Sequence, residues 1–220
     1  MPGAIRFLFD YISPYSYLAS TQIQALANRH ERTVEAVPIL FAGLLESTGS
    51  RGPAEVPPRR AYMHVDVMRL GRLLGVPIEA PATHPFNPLS ALRATWCVTD
   101  ESRRWRLVEA FYRATWVRAL RIDRPEVVAA VATQAGFDGA ALIEQSSAPE
   151  IKECLRSATQ EAIALGAFGV PTILVDGELF WGVDSLPLID RFLSGEKAFD
   201  AERLARWRAL VPSAQRRGVS

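Results

Sequence analysis

Phe7-Leu8-Phe9-Asp10-Tyr11-Ile12-Ser13-Pro14-Tyr15-Ser16-Tyr17-Leu18-Ala19 reads as a strand, a tight junction and the start of a helix. Ile5, Leu8 and Phe9 lie in an apolar run of strand length. From Ser13 onward the period changes. Tyr15, Leu18, Ala19, Ile23, Leu26 and Ala27 recur at the spacings of one helix face. Pro14 suits the first turn, where backbone N–H groups have no intrahelical acceptor in any case. Ser13 is therefore the N-cap candidate, its hydroxyl beside free N–H groups at the positive end of the helix dipole. Such a hydroxyl either caps the helix or donates to an anion docked at the helix end, and the spacing leaves both roles open.

Working outward, Thr33 to Val37 is a β-prone run ended by Pro38, so the first segment becomes a βαβ unit with parallel strands. Gly43 to Pro58 is rich in Gly, Ser and Pro and is expected to be loop. From Arg59 the pattern is helical. Met63, Val67, Leu70 and Leu74 form a stripe that stops at Gly75 and Pro77, Pro81 to Pro88 is irregular, and helices follow over 89–98 and 105–116. Asp123-Arg-Pro-Glu126 and Ser147-Ala-Pro-Glu150 both read as capping boxes, and Asp138 caps a short helix between them. The helix after Glu150 carries Ile151, Leu155, Ala158, Ala162 and Leu165 and stops at Gly166. Strands return at 170–175, turn at Asp176-Gly177 as a two-residue hairpin, and run back over 178–181. A helix through Leu186, Ile189 and Leu193 follows. A last amphipathic one uses Leu204, Trp207, Leu210 and Val211, and the polar tail 213–220 is expected to fray. This order predicts an α/β domain from 1–58 and 151–220, with a helical subdomain inserted at 59–150.

The 220 residues are 49% hydrophobic and 22% charged, enough apolar content to bury a core. The net charge of +1, without a basic block, argues against nucleic acid as a partner. No apolar run has the length of a membrane span, and no basic-then-apolar leader opens the chain, so a cytoplasmic protein without a membrane partner is expected. Cys97 and Cys154 fall in separate helical segments and are expected to be buried, reduced thiols. His30, His64 and His84 lack the spacing of a metal site, so no metal is assigned.

The succession β-α-β, helical insert, α, β-hairpin, α is the thioredoxin order. Redox enzymes of that fold carry Cys-X-X-Cys at the start of the first helix. Here the place holds Ser13-Pro14-Tyr15-Ser16, so dithiol exchange with the chain's own residues there is excluded. A helix end of this kind still stabilises a thiolate brought by a cofactor.

The run Phe9 to Ala19 resembles the opening signature of the 2-hydroxychromene-2-carboxylate isomerase family. Gly166-Ala-Phe-Gly-Val-Pro-Thr172, followed by Phe180-Trp-Gly-Val-Asp184, resembles its second signature. Arg60-Ala-Tyr62 with Asp66, and Phe86-Asn87-Pro88, resemble its middle segment. The likeness spans about residues 4 to 193, in the family's order. It implies a thioredoxin-like, DsbA-like fold, related to kappa-class glutathione transferases. It also implies glutathione as cofactor, a small aromatic substrate and a homodimer. By the same resemblance Ser13 is the catalytic serine that donates to the glutathione sulfur. Val170 and a cis Pro171 pair with the cysteinyl part, and Asp184, with Ser185 beside it, holds the γ-glutamyl end. Arg59, Asn87 and Tyr15 face substrate. Two positions depart from the pattern: Val183 stands where a polar residue is usual, and Arg59 near a usual Lys, with a different donor geometry. A kappa-like transferase or reductase, or a non-catalytic glutathione-binding protein, would use the same site.

Read without the resemblance, several of these residues have plainer roles. Asp184 is an N-cap for the helix after it, and Asn87 between prolines is a turn residue. Trp96, Trp116 and Trp181 are core residues, and Arg59 and Arg60 are solvated. Tyr15 and Tyr17 divide between cleft and interior.

Overall fold

The computed structural model describes residues 3–196 and 199–214. The expected end of the tail, 215–220, lies outside the described residues. Four strands form one mixed sheet in the order β2-β1-β3-β4. β1 (Ile5–Phe9) runs parallel to β2 (Val34–Pro38), joined by α1 (Pro14–Arg29), and antiparallel to β3 (Thr172–Val175). β4 (Glu178–Trp181) closes the hairpin, and Asp176 and Gly177 both take positive φ, as its two-residue turn requires. Arg32 ties that turn back to the body through Asp176.

The alternation of β1 sorts the core. Phe7 and Phe9 stack 5.5 Å apart on one face, where Tyr11, Trp105 and Tyr112 meet them edge-on or tilted. α5 (Glu101–Trp116) supplies Trp105 and Tyr112, so a helix expected in an inserted subdomain packs on the sheet itself. Leu8 points the other way, into a second cluster with Val37, Leu44, Ala158, Ala162 and Val170. That cluster is covered by α8 (Pro149–Ala164) and by α2 (Phe41–Thr48).

α2 corrects the loop expected at 43–58. Gly43 does not break the helix. A Cβ there would stand 2.9 Å from the Thr159 methyl of α8, so the glycine permits close helix packing. After a short turn at Pro53–Glu55, α3 (Pro57–Leu74) begins two residues before Arg59, because Pro57 and Pro58 both fit a first turn. Beyond it come α4 (Leu89–Trp96), α5, α6 (Pro125–Gln134) and α7 (Gly139–Gln145), with no strand among the described residues between β2 and β3. Neither predicted capping box forms. Asp123 bonds Arg121 instead, and α8 is capped by Ala148, the residue before its N1 proline, one place beyond Ser147. Asp138 does cap α7, accepting from Ala141 N–H at 3.0 Å.

The remaining differences concern exposure. Cys97 and Cys154 are both free thiols, but only Cys97 is partly buried; Cys154 is exposed on α8. Burial pushes the Cys97 thiol up to about 11, with a smaller push from Cys154. α9 (Leu186–Leu193) packs Leu186 and Ile189 inward as expected. α10 (Ala201–Arg208) buries none of its residues, and Leu210 and Val211 lie beyond its end. No helix among the described residues is long and apolar enough to cross a membrane.

Candidate functional site

Ser13 has the extended backbone of an N-cap, and its Oγ accepts from Ser16 N–H at 3.1 Å. The same hydroxyl donates to the Val170 carbonyl at 3.3 Å, across 157 residues of chain. Capping uses the oxygen's lone pair and leaves the proton free, so the two readings of Ser13 are compatible. At 3.3 Å the donated bond is long, and a better acceptor can replace the carbonyl. The Val170–Pro171 peptide is cis. The Pro171 carbonyl accepts from Gly182 N–H at 3.0 Å, which seats the cis-proline turn on the residue after β4.

Among the described residues, the N–H groups of Tyr15 and Val170 have no hydrogen-bond acceptor. The Tyr15 N–H belongs to the first turn of α1, where the helix supplies no partner. The Tyr15 N–H and the Ser13 hydroxyl stand at the positive end of α1, with Val170 against that hydroxyl, a set suited to a thiolate with an amide chain beside it. The residues present therefore fit a glutathione sulfur and its cysteinyl backbone.

The turn that delivers Ser13 is braced on every carbonyl. Ser13 N–H donates to the Asp10 carbonyl at 3.1 Å, which Tyr112 also approaches at 3.4 Å. Trp116 Nε1 donates to the Tyr11 carbonyl at 3.0 Å. His84 Nε2 lies 3.0 Å from the Ile12 carbonyl, which can only accept, so this nitrogen carries the proton. Burial lowers the pKa of His84, and neighbouring His64 lowers it further, against the pull of that carbonyl. His84 also precedes a second cis proline, Pro85, which sequence reasoning did not single out. Tyr11 donates to Thr95 at 2.7 Å, since the Thr95 proton goes to the Ala91 carbonyl.

Around this centre the predicted residues divide. Tyr17 is buried and donates to the Pro77 carbonyl, while Tyr15 is half-buried and donates to Asp66 of α3 at 2.9 Å. The Tyr15 phenol is raised above its ordinary pKa first by burial, then by Asp66, Tyr62 and Asp184, and the turn Val183–Ser185 packs against α1. Asp184 is exposed and caps nothing: α9 is preceded by Ser185, whose own hydroxyl donates to the Gly182 carbonyl at 2.7 Å. Ser185 is thus turned inward at 5% exposure, and its hydroxyl is already committed. Asn87 is a turn residue, accepting from Leu89 N–H at 3.0 Å. Arg59 is exposed in the first turn of α3 and has no hydrogen-bond or salt-bridge partner among the described residues. Trp181 is not core. It is 51% exposed and tilts against Phe168 with ring centroids 4.9 Å apart. A cavity of about 390 Å³ lies further along α1 beside Tyr17 and Arg113, and Ser13 does not line it.

A family model described as a DSBA-like thioredoxin domain matches residues 4–194. The chain belongs to the DsbA-like thioredoxin-domain family. Within this DsbA-like family it is similar to a 2-hydroxychromene-2-carboxylate isomerase from Sphingobium xenophagum, 30% identical over 195 residues, covering 88% of this chain and 99% of the relative. It is also similar to glutathione S-transferase kappa 1 from Homo sapiens, 28% identical over 213 residues, covering 90% and 93%. A solved 2-hydroxychromene-2-carboxylate isomerase superposes with a TM-score of 0.81 at 26% identity, covering 94% of this chain and 98% of that one.

Proposed function

We propose that this protein is a glutathione-dependent isomerase in aromatic catabolism. It would interconvert 2-hydroxychromene-2-carboxylate and trans-o-hydroxybenzylidenepyruvate, or a close analogue. The observation that carries this reading is the Ser13 hydroxyl, held at the Val170 carbonyl beside the free N–H groups of Tyr15 and Val170. The named isomerase relatives support the reaction class.

Glutathione, when bound, supplies a sulfur nucleophile whose reversible addition to a conjugated double bond lets that bond rotate. Ser13 exchanges its long bond to Val170 for one to the sulfur, and the Tyr15 N–H and the helix dipole favour the anionic form. Val170 N–H and C=O pair with the cysteinyl backbone. Asp184, exposed and uncommitted, receives the γ-glutamyl ammonium, and Ser185 holds the turn that presents it. Arg59 answers a substrate carboxylate, while Asn87 and Tyr15 border the substrate. Val183 is buried at 5% exposure and adds no polar contact, which leaves more of the γ-glutamyl recognition to Asp184. We further infer a cytoplasmic homodimer, with 59–150 as a helical subdomain on the thioredoxin-like frame of 1–58 and 151–220.

The kappa-class relatives support a second reading, a transferase or reductase using the same site on other electrophiles. Spectrophotometric turnover of 2-hydroxychromene-2-carboxylate with and without glutathione decides between them. Isomerisation only with glutathione present is the expected result. Thiol conjugation to a haloaromatic without isomerisation selects the transferase. Calorimetry showing no binding at millimolar glutathione rejects both.

A further inference from the structure

Asp10 is 1% exposed at the junction of β1 and α1. Its Oδ1 accepts from Ile12 N–H at 3.1 Å, inside the turn that delivers Ser13. Its Oδ2 accepts from Phe41 N–H at 2.9 Å, the first helical residue of α2. The backbone carbonyls of the turn are braced by donors; this carboxylate takes an N–H from the turn and an N–H from a neighbouring element. The tyrosines Tyr11 of the turn and Tyr112 of α5 face its charge, and no cation pairs with it among the described residues. A buried carboxylate without a counter-charge is expensive. Asn would avoid that cost, but its one acceptor oxygen cannot take both amides, so the double link requires the carboxylate.

We propose that Asp10 is a positioning residue: its carboxylate ties the Ser13 turn to the start of α2 and so holds the Ser13 hydroxyl opposite Val170. This rests on the reading of Ser13 as the group that holds the glutathione sulfur. Burial pushes the Asp10 pKa up to about 7, against the two amide bonds that favour the anion. Protonation therefore falls in the neutral range, removes one acceptor position and releases one of the two amides. The placement of Ser13 is then coupled to pH near 7.

Two variants test this. Asp10→Asn removes one acceptor. Phe41→Pro removes only the second donor, at a first-turn position that accepts proline, after Leu40, whose extended backbone suits the residue before one. Phe41→Ala controls for the lost ring. The readouts are amide-exchange protection at Ile12 and Phe41, and kcat and KM for glutathione, from pH 5.5 to 8.5. In the wild type, protection and kcat should rise together through about pH 7. In Asp10→Asn the protection should be flat, with kcat at pH 8 down roughly tenfold, about one hydrogen bond's worth of alignment, and KM changed less. Phe41→Pro should lose kcat similarly while Phe41→Ala does not. A lower melting temperature in Asp10→Asn, with kcat and both pH profiles as in the wild type, overturns the proposal. If the wild type shows no glutathione-dependent turnover, the glutathione reading fails by itself. The exchange profiles then decide: loss of the pH step in Asp10→Asn supports the tie, and its persistence overturns it.

Discussion

The two sides of the N-terminus of α1 are built differently. On the sheet side, Asp10, Ser13 and Val170 are nearly inaccessible, and the turn is bonded to Val170, α2, His84 and Trp116. On the α3 side, Tyr62 is 61% exposed, Arg59 stands in water, and one cross-link, Tyr15 to Asp66, joins the two helices. Packing fixes the first side, so a change there disturbs geometry and stability together. The second side is free to vary at little cost to the fold, so on the proposed reading substrate choice would be set there.

The largest effect should come from the deepest group. The Asp10 carboxyl is near 7 in the fold and has an ordinary value of 3.8. The folded state therefore holds the proton more tightly. Its contribution to stability is complete below the unfolded value and is lost as pH rises through about 7. At about 1.36 kcal/mol per tenfold, the loss is ~4 kcal/mol at most. Denaturant titrations from pH 4 to 8 should show this decline in the wild type and a flatter curve in Asp10→Asn. Parallel curves would mean that the sheet side is not organised around this carboxylate.

Ser13→Ala comes next. One charge-assisted hydrogen bond is worth ~1.5–3 kcal/mol, so the rate with saturating glutathione should fall roughly ten- to a hundredfold. Stability should drop by about 1 kcal/mol, the value of a cap. The mutant should recover part of its rate as pH rises, because the sulfur then ionises without the hydroxyl. Profiles that overlay in height and midpoint would reduce Ser13 to a cap.

Asp184→Ala should weaken glutathione binding about tenfold in calorimetry, a solvent-screened charge contact. Since its side chain caps nothing, melting should shift by less than about 0.5 kcal/mol. A stability loss as large as the affinity loss would restore the cap role and move Asp184 to the structural side of the contrast. The smallest stability changes are expected at Arg59→Ala and Asn87→Ala, each within about 0.5 kcal/mol, with any kinetic effect confined to KM for the aromatic substrate. A fall in kcat with KM unchanged at Arg59 would extend the catalytic centre onto α3.

The strand–junction–helix reading at Phe7 to Ala19 rests on local periodicity, and β1 and α1 follow it closely. The hairpin at Asp176-Gly177 was legible for the same reason, a turn chemistry written in two residues. α2 was not, because Gly43 answers to Thr159, a residue distant in the chain. Asp184 looked like a cap because it precedes a helix, yet it lies inside the tight turn at Val183–Ser185, and Ser185 takes the N-cap place of α9. The braces on the Ser13 turn come from Thr95, Tyr112, Trp116 and His84, and no local pattern links them to it. The one local signal was Asp10 itself, a charge at the end of an apolar strand.

The seven residues from Gly166 to Thr172 answer to four neighbours at once. Gly166 ends α8, and Ala167 fills the cluster under Leu8. Gly169 lies beneath Trp181, whose indole would be 2.5 Å from any Cβ there. Val170 meets Ser13, and Thr172 pairs with Leu8 and with Trp181. Adding one residue to this stretch would either turn β3 over, since side chains alternate, or slide Val170 past Ser13. Descendants of this chain can change letters here, but lineages that insert or delete a residue lose the site, so alignments of the family should show this segment ungapped while the turn after α2 varies in length.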